Sequence, residues 1–309
     1  MLHDSAGLEG ARLETADPPS WFTEALHRRP ERGFIEVDGA QIETLAWGER
    51  GKPGLMLLHG NSAHADWWSF IAPFFADTYR VGAISWSGMG RSDWRESYSI
   101  EGHVREALVG AETLGVFESS LRPVFVGHSF GGGVLMQLAA SHGDRLKRAV
   151  ILDNGARLGS SEPIARQRTR PNAVYPTFEV ALSRYRLAPP PVVAPDYVTA
   201  HLAAHALRET VGPDGAKGWR WAFDPFAGLS RGSDHIRRAA EIIRTSKCPL
   251  TFVRGAQSRL MSPEDLAYSR ELAPSGSYGL EMPAAGHHMM ADHPLAFITL
   301  LRTILAAEP

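Results

Sequence analysis

The chain has 309 residues, of which 44% are hydrophobic and 21% charged, with a formal net charge of −2. That length buries a sizeable core without disulfide or metal staples, and the near-neutral balance gives no reason to expect nucleic acid or an anionic membrane as a partner. Cys248 is the single cysteine, so no intrachain disulfide can form. The opening segment lacks the basic and apolar regions of a signal peptide, and no apolar run approaches the length of a membrane span. The expectation is a soluble, cytoplasmic protein in a reducing compartment.

In chain order, the first signal is "GFIEVDGAQIETLAWG", two alternating runs around Asp38-Gly39. Asp-Gly between such runs predicts a β-hairpin. "GLMLLHG" and "YRVGAISW" read as buried strands, with a helix expected between them from Ala65 to Phe75. A helix from Glu101 to Leu114 precedes the buried strand "PVFVG", and "RAVILD", "PLTFVRG" and "YGLEMP" follow as further strands. "DHPLAFITLLRTIL" predicts a closing helix with Asp292 as its N-cap. Strands alternating with helices argue for an α/β fold with a mostly parallel central sheet flanked by helices.

Residues 156–245 break that rhythm with "APPPVVAP", several arginines and helix-like runs such as "DYVTAHLAAHALRET", and with no buried-strand run. They are read as a helical cap inserted into a core made of residues 1–155 and 246–309. Within the cap, "GWRWAFDPF" gathers Trp219, Trp221, Phe223 and Phe226. These aromatics either form the cap's own small core or line a substrate pocket beneath a lid. Trp219, Trp221 and Phe223 are the candidate substrate-binding residues. His201 and His205 have the i, i+4 spacing of a metal pair, but no third ligand is evident. No metal and no cofactor are assigned.

The chemistry concentrates in "PVFVGHSFGGGVLMQLAA". A strand runs into a Gly-His-Ser-Phe-Gly turn that opens directly into a helix. Glycines on both flanks permit a strained backbone at Ser129. The serine then stands at a helix N-terminus, where backbone N–H groups favour a developing negative charge. Gly127, Ser129 and Gly131 match the G-x-S-x-G nucleophile elbow. A serine needs a base to become a nucleophile, and the base is usually a histidine oriented by a carboxylate.

Downstream, "AAGHHMMADHP" sits between the last strand and the last helix. Gly286-His287, followed by Asp292 and Pro294, resembles the α/β-hydrolase superfamily, in which a Gly-His pair occupies this loop. The resemblance extends over most of the chain in element order. It implies a triad in the order serine, acid, histidine, with Ser129 as nucleophile and His287 as base; spacing alone leaves His288 open. The superfamily's usual acid would stand near Ser258 in "RGAQSRLMSPED", where this chain has no carboxylate. Glu264 and Asp265 follow, but "SPED" reads as a helix start with Ser262 as N-cap and Pro263 at N1. Some haloalkane dehalogenase-like members carry the acid after the strand that follows the elbow helix, which implies Asp153 here. The resemblance further places the oxyanion donors at the N–H groups of Phe130 and Asn61. His59 in "LLHGNS" reads as a brace for that loop. "SWSGMGRSDW" resembles the superfamily's D-x-x-G-x-G-x-S loop, with Ser85 in place of the aspartate.

The expected function is hydrolysis of a small to medium, largely apolar carboxylic ester through an acyl-enzyme. Lactone, thioester, amide or C–C bond hydrolysis, or ligand reception without catalysis, stay open beside it. Epoxide hydrolases and dehalogenases are disfavoured because their nucleophile is a carboxylate.

Overall fold

Asp38 and Gly39 turn the chain with φ of 48° and 77°, joining strands β1 (Glu31–Val37) and β2 (Ala40–Trp47) in an antiparallel hairpin. This is the start of the sheet in a computed structural model that describes residues 17–156, 172–213, 215–227 and 233–307. The other strands of the sheet are β3 (Gly54–Leu58), β4 (Arg80–Ile84), β5 (Val124–His128), β6 (Arg148–Leu152), β9 (Leu250–Gly255) and β10 (Tyr278–Met282). Their order is β1-β2-β4-β3-β5-β6-β9-β10. From β4 to β10 all neighbours are parallel.

Every residue of β3, β4, β5, β6 and β9 is buried, as parallel strands covered on both faces require. The period of two assigns alternate side chains to opposite faces. Met56, Leu58, Phe125, Ala149 and Ile151 join one apolar cluster. Leu55, Leu57, Val126, Val150 and Leu152 join the other. Helices α2 (Ile100–Thr113), α3 (Phe130–His142), α6 (Ser233–Arg244) and α7 (Pro263–Leu272) belong to the first side, α1 (Ser20–His27) and α9 (Pro294–Ala306) to the second. α2 begins on Ser99, whose Oγ accepts from the Gly102 N–H. α7 begins on a full capping box between Ser262 and Asp265.

Three local expectations differ from the structure. The predicted helix from Ala65 to Phe75 is two 3₁₀ turns, Ala65–Trp68 and Ala72–Phe74. Pro73 lacks the N–H a continuous helix would need. Asp292 does not cap the closing helix, whose N-cap is His293. Its carboxylate instead accepts from Gly286 N at 2.8 Å and from Val192 N at 2.9 Å, tying two distant loops together. Thirdly, the insertion between β6 and β9 is not purely helical. Alongside α4 (Phe178–Leu182) and α5 (Asp196–His205) it holds an antiparallel hairpin of β7 (Leu207–Val211) and β8 (Lys217–Trp221). α6, which the sequence reading gives to the insertion, packs against α3 and α7.

The insertion sits on the core through polar contacts. His64 Nε2 lies 3.0 Å from the Leu202 carbonyl. Ser69 Oγ lies 2.7 Å from His201 Nε2. Arg32 bridges Asp66 and Glu43 beneath them. Among the described residues no helix is long and apolar enough to cross a membrane.

Candidate active site

β3 has β4 on one side and β5 on the other, so the chain reverses its winding there. In open α/β sheets, ligands bind outside the carboxyl ends of the strands at such a point. The loops leaving β3, β5, β6 and β10 carry Gly60-Asn61, Ser129, Asp153 and His287 respectively.

Ser129 lies between β5 and α3 with φ 51° and ψ −112°, a conformation that costs a non-glycine residue about 1–3 kcal/mol. Three hydrogen bonds hold it. Ser129 N donates to Leu152 O at 2.9 Å, Gly133 N donates to Ser129 O at 3.1 Å, and Asn154 Nδ2 donates to Ser129 O at 2.6 Å. The flanking glycines have steric reasons. A Cβ on Gly127 would stand 2.5 Å from Gly131 O, and one on Gly131 would stand 2.6 Å from His59 O and 2.7 Å from Leu58 O. Those obstacles are backbone and cannot swing away. Gly131→Ala is therefore expected to destabilise the fold by about 3 kcal/mol or more, read as a lower urea midpoint at constant m-value. An unchanged midpoint would show that the elbow has room to spare.

Asp153 follows β6 with φ 49° and is fully buried. Its Oδ2 lies 2.6 Å from His287 Nδ1 and accepts from Ser258 Oγ at 2.6 Å; its Oδ1 accepts from Gly255 N at 3.1 Å. Burial pushes the carboxyl up to about 6, against the opposing pull of the Ser258 and Gly255 hydrogen bonds. The sign of a test follows. The Ser258 hydroxyl stabilises the ionised form, so Ser258→Ala raises the Asp153 pKa further. If the imidazole needs the ionised carboxylate, the acid limb of kcat/KM moves to higher pH. One hydrogen bond to a charged group, about 1.5–3 kcal/mol, corresponds to about 1–2 pH units. An acid limb that stays in place in the Ser258→Ala profile would remove Ser258 from this role.

His287, rather than its neighbour, meets the carboxylate. His288 packs its ring 5.3 Å from that of Trp67 and 4.9 Å from that of His287. His128, the variable residue of the elbow, places its Nε2 2.9 Å from the His287 carbonyl, so that loop is tied to the elbow itself.

The loop after β3 closes on the serine. A Cβ added to Gly60 would lie 3.4 Å from Ser129 Cβ and 2.9 Å from His128 Nδ1. Asn61, next in that loop, is exposed and donates its N–H to no residue among those described. Phe130 opens α3, so its amide lies at the positive end of the helix dipole. His59 is buried as a brace. Its Nε2 accepts from Trp86 N at 3.1 Å, and its carbonyl accepts from Trp86 Nε1 at 3.0 Å. Ser85 donates to the buried Glu43 at 2.7 Å, so Glu43 brings a carboxylate to the loop where the superfamily's aspartate would stand.

The other sequence candidates have contacts of their own. Asp265 is engaged at the start of α7, where its Oδ2 accepts from Ser262 N, and Glu264 is exposed. Trp219 packs edge-on to Phe178 at 4.9 Å, and Trp221 packs on Tyr175 and Tyr185 at 5.8 and 6.0 Å. Both thus contribute to the insertion's own cluster. Phe223 is buried in the main core and pairs by backbone with Met89. His201 meets Ser69, and His205 Nδ1 lies 2.9 Å from the His201 carbonyl. Four residues around the site were not foreseen: Trp67, His128, Asn154 and Ser258. For Ser258 the sequence held a negative signal, a missing acid. For Trp67 and Asn154 it held no periodicity or motif.

The sequence profile described as "Alpha/beta hydrolase family" matches residues 55–300. The esterase Rv0045c of Mycobacterium tuberculosis is 27% identical over 295 residues, spanning 87% of this chain and 88% of that protein. The lipase LipV of the same organism is 28% identical over 180 residues, 56% of this chain and 64% of its own. Among solved structures, the thioesterase domain from the curacin biosynthetic pathway superposes with a TM-score of 0.72 at 24% identity, covering 88% of this chain and 99% of that one.

Proposed function

The chain belongs to the alpha/beta hydrolase family, and from that premise we propose that it is a serine hydrolase that cleaves a carboxylic ester through an acyl-enzyme. The observation that carries the reading is the 2.6 Å contact between Asp153 and His287 Nδ1, in loops that flank a serine held at positive φ. The esterase and lipase among its relatives favour an ester over other acyl bonds.

In this mechanism Asp153 accepts the Nδ1–H of His287 and so fixes the tautomer with its lone pair on Nε2. Ser129 Oγ attacks the ester carbonyl as Nε2 takes its proton. The oxyanion is held by the N–H groups of Phe130 and Asn61. The imidazolium, stabilised by Asp153, then protonates the departing alcohol. Water enters, gives a proton to Nε2 and attacks the acyl-enzyme; collapse returns the proton to Ser129 and releases the acid. The described part of the insertion reaches this site at Val192, whose N–H is bonded to the Asp292 carboxylate that also holds Gly286 beside His287, and Trp67 offers the acyl or alcohol part an aromatic wall.

The test is turnover of p-nitrophenyl acetate, butyrate and octanoate together with labelling by a fluorophosphonate probe. The expected result is a saturable rate on at least one ester and one probe adduct, mapped to Ser129. A protein that neither turns over nor labels under these conditions would count as a ligand-binding member of the family instead.

A further inference from the structure

The hairpin of the insertion sets two arginines side by side. In its register Arg208 of β7 stands directly opposite Arg220 of β8, so both side chains leave the same face of the ribbon. The other face is apolar: Leu207, Trp219 and Trp221 pack into the insertion's own cluster. The arginine face is turned to the loop that follows β4. There the Arg220 guanidinium stacks on the Trp94 ring, its Cζ 3.9 Å from the ring centroid. The charges that act on Arg208 are Arg220 and Arg91, which repel it, and Glu43 and Asp93, which attract it.

Like charges directly opposite across two strands destabilise the pair, and the nearby carboxylates are committed to other donors. Glu43 accepts from Arg32, from Ser85 Oγ at 2.7 Å and from Arg91 N at 3.2 Å. Asp93 accepts from Gln41 N at 2.9 Å. Asp224, the acid that acts on Arg220, accepts from the Tyr98 hydroxyl at 2.7 Å and from Phe226 N at 2.9 Å. Among the described residues, none of these three acids accepts a hydrogen bond from Arg208 or Arg220. Arg220 Nε and Trp94 Nε1 are buried donors without a hydrogen-bond partner among the described residues. Both arginines are partly exposed, so their remaining N–H groups are open to a ligand.

We propose that Arg208 and Arg220 form a binding site for an oxyanion, a carboxylate or phosphate group held between the hairpin and the loop after β4. Each planar guanidinium presents its N–H donors in a fork that matches two oxygens of such a group. Trp94 sets the orientation of one fork by stacking. The ribbon sets the spacing of the two, because paired residues of antiparallel strands have Cα atoms about 4.5–5.5 Å apart. An oxyanion seated there replaces a repulsion with two charge-assisted contacts. The site adjoins the proposed catalytic centre through α5, which runs into β7. His205 Nε2 lies 3.8 Å from Asp66 Oδ1, and the Leu202 carbonyl lies 3.0 Å from His64 Nε2, both in the segment that follows Asn61. Two sources supply such a group, the charged end of an ester substrate or a separate anion. The first rests on the ester-hydrolase reading; the binding itself does not.

Binding is measured first without turnover, by thermal unfolding of the wild-type protein in succinate or inorganic phosphate against sodium chloride of equal ionic strength. The expected result is a saturable rise in melting temperature with at least one of the two anions. Arg208→Gln and Arg220→Gln each weaken the apparent affinity at least about tenfold, as the loss of a hydrogen bond to a charged group does. Arg238→Gln, which removes an exposed arginine paired with Glu241 on α6, leaves it unaltered. No saturable effect of either anion up to about 20 mM, or an effect that both hairpin variants retain, overturns the site. The source is then read from turnover of mono-p-nitrophenyl adipate beside p-nitrophenyl hexanoate. A substrate source gives the charged ester the lower KM, and Arg208→Gln removes that preference. A separate anion leaves the two esters alike while succinate or phosphate still binds. A protein that hydrolyses neither ester defeats the ester-hydrolase reading, and the melting result still stands or falls by itself.

Discussion

Ser129→Ala is expected to lower kcat on the best p-nitrophenyl ester by about 10⁶-fold and to abolish fluorophosphonate labelling, with KM little changed. The size follows from what the hydroxyl does. Without it no acyl-enzyme forms, and the remaining catalysis comes from the oxyanion donors and from binding, about 10³–10⁴-fold over water. The fold should not suffer. Ser129 holds its place through backbone groups, with N bonded to Leu152 O and its carbonyl to Asn154 and Gly133, and alanine keeps all of these. A companion variant separates strain from chemistry. Ser129→Gly relieves a φ of 51° that glycine adopts freely, so it is expected to be as inactive as the alanine variant but to melt at a higher temperature than wild type. Such a rise would mark stability given up at the elbow to expose the hydroxyl. If Ser129→Ala kept more than about one-hundredth of wild-type kcat, the serine mechanism would be untenable, since a triad nucleophile carries far more than that.

The parts of the fold that the sequence announces are those where burial repeats. "GLMLLHG", "PVFVG" and "RAVILD" are apolar on both faces because helices cover both sides of the sheet, and such runs have few other readings. The cap hairpin has no such run. In β7 only Leu207 is buried while Arg208, Glu209 and Val211 are partly or fully exposed, so its pattern belongs to a surface ribbon and not to a core strand. The elbow is legible because its glycines and serine fall at fixed spacing within five residues, although only Gly127 is pressed on its own neighbours and Gly131 is pressed on the backbone of Leu58 and His59. The roles of Asp292 and Ser258 are not local. Asp292 meets Val192 across 100 positions, and Ser258 meets Asp153 across 105. No pattern within a helix or strand encodes such pairs. A carboxylate missing beside Ser258 nonetheless pointed to Asp153, and the two side chains touch.

That contact makes the acid the sharper test. Asp153→Asn is expected to lower kcat by about 10³–10⁴-fold at neutral pH, because an amide in place of the carboxylate leaves His287 in the wrong tautomer and its charged form without a counter-ion. Asp265→Asn should leave kcat within about twofold of wild type and cost about 0.5–2 kcal/mol of stability, as the loss of a capping interaction does. Reversal of these two outcomes would move the acid to the α7 side of the site. A carboxylate returned at position 258 completes the argument. Ser258 Oγ and His287 Nδ1 each lie 2.6 Å from the same Asp153 oxygen. A side chain at 258 with one more heavy-atom branch therefore reaches the imidazole from its own loop. Ser258→Asp in the Asp153→Asn background is expected to recover at least about tenfold in kcat. In the wild-type background the same change sets two buried carboxylates side by side. Like charges at that range raise the pKa of one of them, so the acid limb of kcat/KM should move to higher pH. Recovery in the first background together with an alkaline shift in the second requires that position 258 and Asp153 address one imidazole, which a merely structural Asp153 would not produce.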